Sequence, residues 1–186
     1  MEDLRKLNQK EIKKDPEVQV VETGKAIDQE KKQITSEEIE KEKLFEKFLL
    51  EAQYNLASEV NKVATFLYEV KSRARLVPDD AFQVFDLVKQ RLGAEQFNKE
   101  HSLSALKNLS IIFEKTVMGG PNDKNIMMEF MSRANLLLTS LENYKESIVR
   151  AGDEKIKELK PLLLEINHTR DKINEKKVRI SLAINH

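Results

Sequence analysis

Apolar residues along most of the chain recur at alternating intervals of three and four, which is the period of an amphipathic α-helix. The longest such run extends from Ser36 to Leu76 and would form a helix about 60 Å long. Four further apolar residues widen this stripe, so we expect the helix to contact two neighbours: Phe48, Leu50, Ala64 and Phe66. Its main apolar positions are Phe45, Leu49, Ala52, Leu56, Val60, Val63, Leu67, Val70 and Ala74.

Local signals predict where this long helix begins and ends. Thr35 and Glu38 have the spacing of a capping box, in which each side chain bonds a free backbone N–H of the first turn. Ile34 and Ile39 have the spacing of a hydrophobic staple around the same turn. Pro78 ends the helix, because the residue before a proline is disfavoured in the α conformation.

Two shorter helices are predicted next. The second helix follows Pro78 and stops at Gly93, since glycine is favoured just after a helix. Residues 94–101, including His101, are expected to be a connector, and Ser102 is expected to cap the third helix. The glycine-rich segment from Gly119 to Asp123 predicts a loop after it.

The fourth helix, residues 124–151, has the most regular apolar repeat in the chain. Its positions are Met127, Phe130, Ala134, Leu137, Leu141, Tyr144 and Ile148. Gly152 ends it, and Asp153 is expected to cap the last helix. Pro161 predicts a kink between Lys157 and Pro161, because proline lacks the N–H that an interior turn needs.

These elements predict an all-α fold, an antiparallel bundle of four main helices plus one short helix, built on one long helix. Residues 1–34 are polar and are interpreted as a tail or tether, whereas residues 35–186 form the helical bundle domain. We expect the long, fourth and last helices to form the centre of the bundle. The second and third helices are expected to lie end to end beside them.

Composition limits the classes of partner. Charged residues make up 34% of the chain, but Lys+Arg and Asp+Glu balance at 32 each, which argues against nucleic acid. The chain has no Cys, so thiolate metal sites and disulfides are excluded. No apolar stretch approaches the roughly 18 residues of a membrane span. We therefore expect no membrane-spanning segment in this chain.

No pattern of catalytic or metal-binding residues is recognisable. The three histidines, His101, His168 and His186, lack the spacing of a zinc-binding helix. Glu165 and His168 can pair, but a metal site needs several such ligands from different helices, and a polar surface pair is the simpler interpretation. Phosphate-binding loops and nucleophile elbows are also missing. We predict a protein that is not an enzyme and holds no cofactor or metal, with a metalloenzyme using His168 as the minority hypothesis.

A group of methionines around the glycine-rich loop is the candidate binding site. Flexible thioethers often line adaptable binding surfaces, although filling gaps in the core is the more ordinary role. Met127 and Met131 fall within the apolar sector of their helix, whereas Met128 lies outside it. The predicted partner-binding residues are Met118, Gly119, Gly120, Asn122, Asp123 and Met128.

The segment from Asp3 to Ile12 resembles the stretch that follows the lipidated Cys in helical surface lipoproteins of Borrelia spirochaetes. Some members of that group bind complement factor H or related host regulators. The resemblance implies a cell-surface or outer-membrane location through a lipid anchor, and a host complement regulator as partner. It implies no particular binding residue, because no binding motif of the group is matched.

The sequence thus predicts a non-enzymatic protein-binding module, the ectodomain of a bacterial surface lipoprotein that engages a host protein. The alternative is an intracellular, cytoplasmic scaffold or assembly protein that self-associates through its long helix. A homodimer belongs to that alternative.

Overall fold

The structure is a computed structural model that describes residues 35–71, 81–116 and 124–185. These residues form six α-helices and no strand, which confirms the predicted all-α bundle. The helices are α1 (Ser36–Val70), α2 (Ala81–Leu92), α3 (Lys99–Lys115), α4 (Lys124–Val149), α5 (Asp153–Glu158) and α6 (Lys160–Asn185). All six belong to one compact unit, Ser36–His186.

The long helix α1 begins at Ser36, directly after the predicted cap Thr35. It is described as far as Val70, so its predicted extension to Leu76 and the turn at Pro78 lie outside the described residues. The predicted tail, residues 1–34, also lies outside them, and its separation from the bundle domain stays a prediction.

The start of α3 differs from the prediction. Asn98 caps this helix, and its side chain accepts a hydrogen bond of 2.9 Å from the backbone N–H of His101. His101 therefore lies in the first turn of α3, where its side chain is exposed, and is not part of a connector. Ser102 is not a cap but a fully buried residue inside the helix. Asn and Ser cap helices about equally well, so the local sequence favoured both positions.

At the turn between α4 and α5, the capping position is one residue earlier than predicted. Gly152 precedes α5 with a φ of 97°, in the left-handed region that favours glycine. Asp153, predicted as the cap, is instead the first residue of α5. Its carboxylate still lies near the positive end of the helix dipole.

Where a kink was predicted between Lys157 and Pro161, the structure has a break between two helices. The last helical region is divided at Leu159, with α5 on one side and α6 on the other. Pro161 is the second residue of α6, a position at which the missing N–H costs no intrahelical hydrogen bond.

Contacts along α1 show that its two neighbours run in the opposite direction. Gln53 bonds Tyr144 of α4, and Lys62, further along α1, meets Arg133 earlier in α4. Toward α2, the side chain of Gln53 bonds the carbonyl of Leu92, and Asn61, further along α1, accepts a hydrogen bond from Lys89 earlier in α2. Sequential helices are therefore antiparallel at the start of the bundle, as the prediction required.

The α3 and α6 helices, by contrast, run parallel. Thr169 bonds the carbonyl of Leu106 at 3.2 Å, and Lys176 donates to the carbonyls of Glu114 and Thr116 seven residues later. Close packing connects α1 to α2, α2 to α3, α3 to α6, α6 to α4 and α4 to α1. Because the ring has an odd number of helices, their directions cannot alternate all the way round, and one neighbouring pair must be parallel.

This ring corrects two expectations about packing. The α4 helix lies between α1 and α6, but α1 and α6 are not closely packed within the described residues, so they do not form a central trio. The α2 helix packs against both α1 and α3, so α2 and α3 are side by side and not end to end.

The core consists of the predicted apolar stripes. All seven repeat positions predicted for α4 are buried, at 1% exposure or less. On α1, Leu56 and Val63 are buried at 0% and 1% exposure, which agrees with the predicted role of α1 as the spine of the bundle.

We predict that Leu56→Asp lowers the free energy of unfolding by about 4 kcal/mol or more, because it buries an unpaired charge. Thermal denaturation followed by circular dichroism measures the effect. Asn55→Asp is the control, since Asn55 is the exposed neighbour and the change there should cost less than about 0.5 kcal/mol. If Leu56→Asp retained the wild-type melting temperature, Leu56 would not lie in the core.

Candidate functional site

The predicted partner-binding residues are only partly within the described structure. Met128 lies on α4 with 55% of its surface exposed, whereas Met127 is buried and Met131 packs against the core. This agrees with the prediction that only Met128 of the three is free of the core. The other predicted residues lie outside the described ranges: Met118, Gly119, Gly120, Asn122 and Asp123.

The two described histidines lie on different helices. His101 lies on α3 and His168 on α6, both exposed, while His186 lies outside the described residues. In the described part of the chain, no group of three or more His, Cys, Asp or Glu could hold a metal ion. None of the described helices is both long and apolar enough to cross a membrane.

A row of uncharged residues runs along the outside of α1 and distinguishes it from the charge-rich remainder of the surface. Its five members are spaced by four, three, four and three residues, so they lie on one helical face. All are exposed, with Tyr54 at 66% and Tyr68 at 58%. We call this row the tyrosine stripe: Tyr54, Ser58, Asn61, Thr65 and Tyr68.

The tyrosine stripe borders an open groove between α1 and α2. The groove has a volume of about 500 Å³. Small residues, Ala57 and Gly93, line it together with polar side chains from both helices. Because these residues are small, a partner could approach the helix backbones closely. The polar lining consists of Tyr54, Ser58, Asn61, Asp86, Lys89 and Gln90.

A chain of polar contacts joins the two walls of the groove. The ammonium group of Lys89 lies 2.7 Å from the carboxylate of Asp86 on α2 and 3.1 Å from the side-chain oxygen of Asn61 on α1. The lysine charge is therefore compensated, and the lysine side chain bridges the two helices that form the groove.

Aromatic contacts orient the far end of the tyrosine stripe. The Tyr68 ring meets Phe82 of α2 edge-on, with centroids 5.4 Å apart. The Lys71 ammonium lies 4.1 Å from the Tyr68 ring centroid, within the range of a cation–π interaction. Tyr68 is thus exposed yet held by two neighbours, which limits the entropy it would lose on binding.

A buried hydrogen-bond network lies on the core face of α1. The Gln53 amide nitrogen donates to the Leu92 carbonyl at 2.8 Å. Its oxygen accepts from the Ser102 hydroxyl at 2.8 Å and from the Tyr144 hydroxyl at 3.1 Å. All three side chains are fully buried, so one amide connects α1 with α2, α3 and α4.

This network also positions the residues at one end of the groove, next to Gly93. Leu92, whose carbonyl Gln53 bonds, is the last residue of α2, and Gly93 follows it. A Cβ on Gly93 would lie 2.9 Å from the Lys89 carbonyl oxygen, closer than side chains tolerate. Gly93 is therefore required for the tight end of α2, as its predicted role as a helix stop implies.

The tyrosine stripe offers apolar rings and neutral hydrogen-bonding groups, and it lacks formal charge. Depletion of charge and enrichment in tyrosine are typical of the centres of protein interfaces. Tyr, Ser and Asn also dominate antibody binding loops, where rings supply area and small polar groups adapt. The arrangement is suited to binding a polypeptide surface.

Sequence reasoning did not identify this surface, because it followed only apolar positions through the helical period. The signal was present: Tyr54 and Tyr68 are 14 residues apart, with uncharged residues at the helical positions between them. That the groove exists depends on α2 packing beside α1, which the sequence pattern does not show.

No protein-family model, curated protein or solved structure matches the chain.

We predict that Gln53→Leu lowers the free energy of unfolding by about 3 kcal/mol, because it leaves three buried polar groups without this partner. Chemical denaturation measures the change, and Gln83→Leu at an exposed position of α2 is the control. Tyr144→Phe should cost less in the Gln53→Leu background than in the wild type, since the two residues share one bond. Equal costs in both backgrounds would show that the residues are not coupled.

Burial raises the pKa of the Tyr144 hydroxyl above its ordinary value. The folded chain therefore keeps this proton at alkaline pH while the unfolded chain loses it. The contribution of this proton to the free energy of unfolding is complete below about pH 10. Above that pH the free energy of unfolding falls by about 1.4 kcal/mol per pH unit. We predict that Tyr144→Phe removes this part of the pH dependence in urea unfolding, whereas Tyr54→Phe, at an exposed position, retains it. The same slope in both variants would be inconsistent with a buried Tyr144.

Proposed function

We propose that the chain is a non-enzymatic protein-binding module and that it binds through the tyrosine stripe and the α1–α2 groove. The observation that carries the proposal is the pair of exposed tyrosines, Tyr54 and Tyr68, at the two ends of an uncharged helical face. The groove beside them offers small residues for close approach and neutral groups for hydrogen bonding. Recognition of a partner helix or loop in such a groove is a common binding mode.

The proposed partner is a host protein, such as a complement regulator, met at the surface of a bacterium to which a lipid anchor attaches the chain. Its support is the resemblance of residues 3–12 to Borrelia surface lipoproteins. The proposed binding surface is helical, and a backbone already fixed by helical hydrogen bonds loses less conformational entropy on association than a flexible segment would.

The alternative is self-association through the long helix, which would use the unusual width of the apolar stripe on α1. Most of that width is covered within the chain. Among the four residues that widen the apolar stripe of α1, Ala64 and Phe66 are buried and Leu50 is partly buried. Two neighbouring helices, α2 and α4, account for that width within the chain. Phe48 alone of the four remains exposed, at 51%.

The first experiment is capture of serum proteins on the immobilised chain, followed by affinity measurement with each purified partner. We expect Tyr54→Ala and Tyr68→Ala each to weaken binding by about 2 kcal/mol, the loss typical of a central interface aromatic. Tyr54→Ala should leave the melting temperature unchanged, since Tyr54 is exposed, whereas Tyr68→Ala should lower it slightly, since it removes the contact with Phe82.

Leu164→Ala on α6 is the matched control, because Leu164 is exposed at 61% and lies outside the groove. It should bind as the wild type does. Equal binding by all three variants would show that the partner does not bind through the tyrosine stripe. Failure to enrich any serum protein would count against a host partner.

A further inference from the structure

A second exposed row of residues runs along the first half of α1, on a different face from the tyrosine stripe. Its members are spaced by four, three, four, three and four residues, so they also lie on one helical face. At its centre are two large apolar side chains, Leu44 and Phe48, exposed at 52% and 51%. We call this row the Leu44–Phe48 stripe: Glu37, Lys41, Leu44, Phe48, Glu51 and Asn55, all exposed.

Among the described residues, this part of α1 has few intramolecular contacts. From Ser36 to Phe48 every residue is exposed except Phe45, which packs against the core. Lys155 of α5 contacts α1 at this position. Its ammonium lies 2.6 Å from the Glu42 carboxylate and 5.2 Å from the Phe45 ring centroid. These contacts leave Leu44 and Phe48 facing solvent. Helices draw most of their stability from packing of an apolar face, so covering this pair would stabilise the segment.

The charges around the apolar pair complement a second copy of the same stripe. Lys41 lies three residues before Leu44, and Glu51 lies three residues after Phe48. Consider two copies that run antiparallel, related by a two-fold axis that crosses the helices at the level of residue 46. Leu44 of each copy then faces Phe48 of the other, and Lys41 of each faces Glu51 of the other. A parallel pair would instead place like charges opposite each other, which is unfavourable.

We propose that two copies of this chain associate through their Leu44–Phe48 stripes as an antiparallel, two-fold symmetric helix pair. Isologous two-fold contacts of this kind are the commonest in homo-oligomers. Both charged residues are available for the contact, because neither Lys41 nor Glu51 forms an ion pair among the described residues.

The dimer uses a different face of α1 from the proposed protein-binding site. A dimer would present two tyrosine stripes, and a partner with two matching sites would then bind with higher avidity. Because Lys41 and Leu44 lie more than two helical turns before Tyr54, variants at these two positions separate loss of self-association from loss of partner binding.

Sedimentation velocity over a concentration series tests the proposal with a charge exchange. We expect the wild type to shift from monomer to dimer as concentration rises. Lys41→Glu and Glu51→Lys should each weaken dimerisation about tenfold or more, since each places two like-charge pairs in the symmetric contact. The double variant Lys41→Glu/Glu51→Lys should restore it, because opposite charges again face each other. Only an antiparallel contact between these two positions predicts that rescue.

Lys43→Glu is the control for charge alone, because Lys43 is exposed on the same helix and lies neither three nor four residues from any member of the stripe. It should dimerise as the wild type does, while Leu44→Asp should remain monomeric with unchanged circular dichroism. A wild type that stays monomeric at its highest soluble concentration would overturn the proposal. So would a double variant as weak as the two single variants.

Discussion

The arrangement of the bundle depends on one buried amide, that of Gln53. Its side chain bonds the end of α2, a serine of α3 and a tyrosine of α4, so four helices meet at a single residue. Apolar contacts tolerate small shifts between helices, because leucine and valine side chains repack with modest loss. Hydrogen bonds between buried groups do not, since moving α1 by one turn would separate Gln53 from its partners and leave Ser102 and Tyr144 unbonded. The network therefore selects one register among several that the apolar stripes alone would allow.

The α1 helix presents three different faces, and each has a distinct chemistry. The first, with Leu56 and Val63, is buried against α2 and α4, and the Gln53 network belongs to it. The second is the tyrosine stripe, which is uncharged and borders the groove. The third is the Leu44–Phe48 stripe, whose apolar pair is flanked by opposite charges. A period of 3.6 residues makes this possible, because positions spaced by three and four form separate rows around one helix. The proposed partner site and the proposed dimer contact are therefore both held in place by the core face of α1.

Much of the fold could be predicted because helical amphipathicity is a local property. The apolar repeat of α4 was predicted residue by residue, and all seven positions are buried. The break near Pro161 followed from the missing proline N–H, which is equally local. Where two local signals competed, the prediction was wrong. Asn98 and Ser102 are both good caps, and the burial of Ser102 beside Gln53 decided between them. The candidate site was less predictable, since a groove requires two helices to be placed side by side.

The sequence by itself determined which segments are helical, which face of each is apolar and how far the charges balance, because these properties depend on residues within a few turns of one another. The tertiary structure alone decided which helices are neighbours and which polar residues are buried. Gln53 finds its partners 39, 49 and 91 residues away, distances over which no periodic pattern carries information. The parallel pairing of α3 with α6 likewise depends on closing a ring of five helices. The tyrosine stripe became a candidate site only when α2 was found beside it, since an exposed row of residues becomes a groove only when a second wall is present.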